Sequence, residues 1–376
     1  MMGVAPAHPA WDGVWGAAVM WRVEQDKERR MAAGSPTPSP IEHVVIIVKE
    51  NHTFDSYFGT FPGAEGATGL DPAPDPPLSD PRHDHVAWLH RDDPPPHGAR
   101  RQQYAEADIP AYFAYARQFT LCDHYFTDVA SQSEPNHLML IAADAPIIDN
   151  SSAHRTYQPQ PPYDLPSLPA ALEGKGLTWR NYGGYYHRHI AALQNSPSNV
   201  SSDAFDADVA AGRLPSVSWL YAPESHGSGQ GQGGLSEHPT ASVRDGMLWT
   251  TGRVDAVGRS AAWASTAIFI TWDDWGGWYD HVAPPLDRTW TGGGPAGYTG
   301  SQFRYGPRVG CLALSPYAKR GHISKTMRSH VSLVRFCEKT FGLDSLSAYD
   351  AATDDMADCF DFAQQPAPPP AWSPRA

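Results

Sequence analysis

Two apolar runs, HVVIIV from His43 and AIFIT from Ala267, constrain the fold of this chain more than any other feature. Neither alternates polar with apolar residues, and both are rich in β-branched side chains. Such a run suits a strand buried on both faces of a parallel sheet. VGCLALS from Val309 reads the same way. Helical patterns accompany them. DIPAYFAYARQF places Asp108 as an N-cap with Pro110 in the first turn, and SHVSLVRFCEKTFG has apolar residues at helical spacing closed by Gly342. Buried strands alternating with helices predict a doubly wound α/β sandwich, whose ligands bind beyond the carboxyl ends of the strands.

The polar residues cluster where that rule wants them. HVVIIV runs into Lys49, Glu50 and Asn51, and AIFIT runs into Trp272, Asp273 and Asp274. Two adjacent carboxylates at a strand end do not both ionise cheaply in a low-dielectric cleft unless a cation neutralises them. Oxygen donors from Glu50, Asn51, Asp273 and Asp274 form a hard ligand set for a divalent metal: Mg, Ca, Mn, or a carboxylate-bound Zn or Fe. Each acidic pair alone reads equally well as helix N-caps or solvated loop residues. His281 in YDHV reads as a hydrogen-bonded core histidine as readily as a site residue. In TDVASQSEPNHLMLIAAD, Ser133 stands just before Pro135 and Asn136, where an apolar helical segment begins. Backbone N–H groups at a helix start receive phosphate well. A serine there is also an ordinary N-cap, and residue physics alone favours the cap.

Composition bounds the function. At 376 residues the chain is long enough for one large α/β domain, and its net charge of −13 excludes a surface that holds nucleic acid or anionic lipid by bulk electrostatics. A phosphate-bearing ligand must be held locally, by a metal or a few cations. Cys122, Cys311, Cys337 and Cys359 are far apart with no C-x-x-C pair, so they read as reduced core thiols. No apolar run approaches the ~20 residues of a membrane helix. WDGVWGAAVMW from Trp11 makes no convincing secretory signal, and Arg29-Arg30 lacks the apolar stretch of a twin-arginine leader. The expected location is therefore cytoplasmic on the sequence given, periplasmic or secreted if a leader has been removed. SPTPSP and QQPAPPPAWSPRA mark the ends as tails, which gives a tail over 1–40, a catalytic domain over 41–345 and a tail over 346–376.

Taken together these segments resemble a known family. ENHTFDSYFG is similar to the E-N-[RH]-[ST]-F-D-x-x-F-G signature of the phosphoesterases that include bacterial phospholipases C, plant non-specific phospholipases C and a class of bacterial acid phosphatases. SQSEPNHLM resembles the nucleophile segment, SEHP from Ser236 the histidine-proline, ITWDDWGGWYDHVAPP the second metal segment, and the stretch from Tyr305 to Leu343 the C-terminal core block. The resemblance implies an alkaline-phosphatase-like sandwich with a mostly parallel central sheet flanked by helices. It also implies metal ligands at Glu50, Asn51, Asp273 and Asp274, a nucleophile at Ser133, and phosphoryl-binding or proton-donating histidines at His238 and, among His83, His85 and His90, at His85. The Asp-Asp pair, where many phospholipases have Asp-Glu, leans towards the acid phosphatases.

The expected function is metal-dependent hydrolysis of a phosphate ester through a phosphoserine. The partner is a phosphate-ester small molecule or a phospholipid headgroup, with no nucleic acid and no integral membrane association. Sulfatase chemistry is disfavoured by the absence of a C-x-P-x-R motif. The rival of another class is a non-catalytic metal- or ligand-binding protein on the same scaffold, which would turn Ser133 away from the metal.

Overall fold

A computed structural model describes residues 39–151, 156–223 and 234–372, so the expected tail over 1–40 lies outside the described residues apart from Ser39 and Pro40. Nine strands form the central sheet: β1 His43–Lys49, β2 Thr120–Phe126, β3 Trp179–Tyr182, β4 Asn199–Val200, β5 Val217–Tyr221, β6 Thr266–Trp272, β7 Arg308–Leu314, β8 His322–Ser324 and β9 Arg328–Ser329. Their order is β8-β2-β7-β6-β1-β5-β3-β4, with β9 also paired to β2. Every residue of β6 and β7 is buried, as are all but the first of β1. The sandwich is therefore of the expected class, a mostly parallel sheet with helices packed around it.

One strand departs from expectation. β7 runs antiparallel to both β2 and β6, while the other pairings are parallel. An uninterrupted apolar run reports burial on two faces, and burial is indifferent to direction.

The longer helices fall into two packed groups. α1 Pro110–Gln118 lies against α3 Val243–Gly258, whereas α2 Ser133–Ala142 lies against α4 His330–Phe341. Pro110 opens α1 as expected, but its N-cap is Ile109, and the Asp108 carboxylate instead accepts from the Ala105 N–H. α4 ends at Gly342, whose φ of 63° suits glycine, and starts at a capping box of Ser329 and Ser332.

Residues 346–372, expected as a tail, are packed onto the domain. The Phe360 ring stacks on Phe336 at 5.0 Å, and Cys359 Sγ touches Cys122 Sγ at 3.5 Å. Asp358 accepts from Ser324, His322 and Lys319. A few apolar anchors spaced through a Pro-rich segment suffice to dock it without any period in the sequence. All four cysteines are buried and unbonded. No helix among the described residues is long and apolar enough to cross a membrane.

Candidate active site

The register of the sheet assembles the site. β1 and β6 are parallel neighbours with Lys49 opposite Trp272, so Glu50-Asn51 and Asp273-Asp274 leave the sheet side by side. The Asp273 N–H donates to the Lys49 carbonyl at 2.9 Å, and the Asn51 N–H donates to Asp273 Oδ1 at 3.1 Å. Asn51 turns the chain at φ 57°, a conformation asparagine tolerates better than most residues. Gly276 packs against that turn, where an added Cβ would stand 2.3 Å from the Asn51 carbonyl oxygen. The Gly276 N–H in turn donates to Asp274 Oδ1 at 2.7 Å.

Helix α2 brings the serine. Ser133 is its first residue, after Gln132 at the N-cap, so it is not the cap that residue physics favoured. Its hydroxyl donates to Asp274 Oδ2 at 3.0 Å. Asn136 fixes the approach to the helix, accepting from the N–H groups of Asp128 and Val129 and donating to the carbonyls of Val129 and Gln132. The asparagine of the P-N pair is thus a clamp on the serine's loop.

The third arm is the SEHP segment, tied to β1 by the Glu50 N–H, which donates to the Ser236 carbonyl at 2.9 Å. His238 Nδ1 donates to the Pro239 carbonyl at 2.6 Å, and His83 Nδ1 donates to the Pro81 carbonyl at 2.8 Å. A carbonyl only accepts, so each neutral ring carries its proton on Nδ1 and leaves a lone pair on Nε2. Both lone pairs face the Asn51 amide nitrogen, at 3.3 Å from His83 and 3.1 Å from His238. That orientation turns the Asn51 side-chain oxygen to within 3.0 Å of Asp273 Oδ1 and 3.2 Å of Glu50 Oε2. Three acceptors then face one another with no proton between them. Turning the amide over relieves the repulsion by donation to both carboxylates, but it requires a proton on His238 Nε2. A cation among the three oxygens relieves it without the turn.

The electrostatics point the same way. Asp273 Oδ2 is buried with no hydrogen-bond partner. Burial raises the Asp273 carboxyl, but His137 and the Asn51 N–H outweigh it and bring it down to about 2. Burial, together with the charge of Asp273, holds Asp274 well above the usual carboxylate range. Buried oxygen donors, one without a partner and one costly to ionise, fit a divalent cation, for which Glu50, Asn51, Asp273 and Asp274 would be the donors.

The sequence-derived residues are brought together with one exception. His85 is turned away: Nδ1 meets the Ala130 carbonyl at 2.8 Å, Nε2 meets Ser301 Oγ at 2.7 Å, and its N–H donates to Asp149. Burial lowers its pKa, consistent with a neutral ring inside that network. His83 holds the place facing Asn51 and His238, since Asp84 caps the short helix His85–Leu89 and sends the two histidines in different directions.

His137 was not foreseen. Its Nε2 lies 3.3 Å from Asp273 Oδ2 and 3.8 Å from Glu50 Oε1. The available signal was spacing, because Ser133 and His137 are four apart on one helix and share a face. Burial would lower its pKa, but Asp273 and Glu50 raise it to about 9. His281 pairs with Asp55 at 2.7 Å, and Arg308 bridges Asp55 and Asp280 behind it, so that acidic group already has its cation.

Comparison with known proteins follows the same residues. The chain is 28% identical over 408 residues to Non-hemolytic phospholipase C of Pseudomonas aeruginosa, covering 86% of this chain and 57% of that protein. It is 28% identical over 443 residues to Phospholipase C B of Mycobacterium tuberculosis, covering 91% of this chain and 82% of that one. It thus spans little more than half the length of the Pseudomonas relative. Among solved structures, murine ectonucleotide pyrophosphatase/phosphodiesterase 5 is similar at a TM-score of 0.49 and 9% identity, covering 85% of this chain and 100% of that one. The model of the Phosphoesterase family matches residues 41–77 and 83–344, most of the sequence, and the chain belongs to that family.

Proposed function

We propose that the protein hydrolyses phosphate esters with Ser133 as nucleophile at a divalent-metal site. The observation that carries this reading is the Ser133 hydroxyl, 3.0 Å from Asp274 Oδ2 and beside the oxygen cluster of Glu50, Asn51 and Asp273. Bound there, the cation would polarise a phosphoryl oxygen and lower the pKa of the serine hydroxyl. Asp274 Oδ2 already accepts the serine's hydrogen bond; it orients the oxygen for in-line attack and receives its proton as the O–P bond forms, which leaves the phosphoryl group on Ser133. His238 faces the same pocket through Nε2 and, protonated there, donates to the departing oxygen. His83 is its companion in place of His85. Water then attacks the phosphoserine, releasing phosphate or a phosphomonoester and restoring the Ser133 hydroxyl. A non-catalytic scaffold would be favoured by a serine turned away from the cluster, and Ser133 is turned into it.

The relatives' names, both phospholipase C, support phospholipids as the first class of candidate substrate. The Asp-Asp pair keeps monoesters as the second class. The test is to strip the purified protein with chelator, add back single divalent ions, and assay p-nitrophenyl phosphate, its bis-ester and phosphatidylcholine side by side. Activity restored by a metal and abolished in Asp273→Ala is expected. Full activity in metal-free protein overturns the proposal, and the ranking of the substrates identifies the class.

A further inference from the structure

We propose that Nε2 of His137 is a ligand of the cation, making the site a mixed nitrogen and oxygen set that favours manganese, iron, cobalt or zinc over calcium and magnesium. This rests on the reading of the cluster as a metal centre. Glu50, His137 and Asp273 each offer one donor atom, all within 4.8 Å of one another. Donors at ~2.0–2.2 Å from a common ion stand roughly 3–4 Å apart. The separations from His137 Nε2 of 3.3 Å to Asp273 and 3.8 Å to Glu50 lie in that range.

The ordinary explanations for a buried histidine do not account for it. His137 is 1% exposed, and neither ring nitrogen has a hydrogen-bond partner. An unmet buried polar group is costly; His187 shares that condition while packed on Trp179 and Trp219, but the unmet Nε2 of His137 in addition faces two carboxylates. The atom it faces, Asp273 Oδ2, is also without a hydrogen bond. Two groups without a hydrogen bond, facing each other across 3.3 Å, are satisfied either by a proton on the ring, as an ion pair, or by a shared metal ion. The ring cannot swing elsewhere, since Tyr186 stacks on it at 4.7 Å and Tyr221 lies at 5.4 Å. Metal-bound imidazoles are usually oriented by a partner on their other nitrogen. Here Nδ1 has none, and the two tyrosines do the orienting. Imidazole nitrogen suits iron and zinc, and transition ions from manganese through cobalt accept it more readily than calcium and magnesium, which prefer oxygen.

The rival reading is a permanent imidazolium that pairs with Asp273 and Glu50 and competes with metal. The two make opposite predictions for removal of the ring. As a ligand, its loss weakens manganese binding by at least the ~10–100-fold that loss of an outer-shell partner costs and leaves calcium binding within about threefold. As a competing charge, its loss tightens both. The experiment uses the full chain titrated with manganous ion and with calcium ion, as wild type, His137→Gln and His137→Asn, the second variant covering a failure of the first to fold. Electron spin echo modulation on the manganese-loaded protein supplies a readout independent of activity. A directly coordinated imidazole nitrogen in the wild type, missing in the variant, supports the proposal. Manganese bound without that nitrogen signal, or a signal that survives in the variant, overturns it while the metal centre stands. Wild-type protein that binds neither ion removes the metal centre itself and the proposal with it.

Discussion

The Ser133 hydroxyl donates to Asp274 Oδ2 at 3.0 Å, a bond between residues 141 positions apart that joins the first turn of α2 to the tip of β6. Among the described residues no lysine or arginine partners the serine, and Lys49 donates to the carbonyls of Leu235 and Gly246. Ser133→Ala is therefore expected to retain bound metal, because the donors of β1 and β6 are untouched. It should lose about three orders of magnitude or more in kcat. Ser133→Thr should keep part of the activity, since the hydroxyl survives. Metal content by elemental analysis and turnover on an aryl phosphate check both. A Ser133→Ala enzyme near the wild-type rate would mean that water attacks phosphorus directly.

Glycine at 276 is required by space as well as by its φ of 58°. Gly276→Ala drives a Cβ to 2.3 Å from the Asn51 carbonyl oxygen, which belongs to the backbone of the proposed ligand loop. It should cost at least ~1–3 kcal/mol of stability and weaken metal binding at the same time. Gly252, in the middle of α3, is the contrast: it is exposed, has ordinary helical backbone, and an added Cβ meets nothing within 4 Å. Gly252→Ala should stabilise by roughly 0.5–1 kcal/mol without altering metal affinity. Denaturant midpoints and metal titrations of the two variants separate the effects.

Glu338 on α4 sits beside Asp350. Burial, with the neighbouring Asp350 carboxyl, raises Glu338 from 4.5 to about 7 against the pull of Arg335. Asp350 is depressed, so the pair shares a proton that stays on Glu338. A carboxyl raised in the folded state contributes its full stability below the unfolded pKa and loses it as pH climbs through the folded one. The window is therefore pH 4.5 to 7, with stability falling as pH rises. Glu338→Gln keeps a neutral side chain at all pH values. Its Tm should match wild type near pH 4, below the window, and exceed it at pH 8. Equal Tm values at pH 8 would show that Glu338 is ionised in the fold at little cost.

The parts of the site that were legible in the sequence are those in which burial changes abruptly to charge. HVVIIV ending in Glu50-Asn51 and AIFIT ending in Asp273-Asp274 announce a strand and its tip together, and the parallel register of β1 and β6 then places the tips side by side. Features set by direction or rotation were not legible. The sense of β7 leaves no trace in a run buried on both faces. His83 and His85 are two residues apart, and only the Asp84 cap determines which of them faces Asn51. His137 lay within a recognised segment, but an N-cap reading of Ser133 hides the helical face that the two share. The docking of 346–372 depends on isolated anchors such as Phe360, which carry no period.

Lys49 and Glu237 form an ion pair at 3.3 Å with both side chains fully buried, directly behind the proposed metal site. Glu237 also accepts from Tyr57 at 2.8 Å, Tyr112 at 2.5 Å and Trp272 Nε1 at 3.1 Å. Those bonds hold a non-glycine residue at φ 77°, an unfavourable conformation, and the next residue is His238. Glu237→Gln should therefore act twice. It removes the carboxylate that neutralises the buried Lys49 ammonium, which keeps the Leu235 and Gly246 carbonyls, at about 3–5 kcal/mol, and it frees the backbone that aims His238, lowering kcat more than it raises KM. Lys49→Met leaves Glu237 with three donors and should cost less in both respects. In the double variant both charges are gone, so its stability should recover most of the loss seen in Glu237→Gln, with a coupling energy well outside the additive range of ~0.3–0.5 kcal/mol. Denaturant unfolding of the four proteins measures that coupling. Simple additivity would show that the pair is incidental and that the tyrosine and tryptophan donors alone fix the loop.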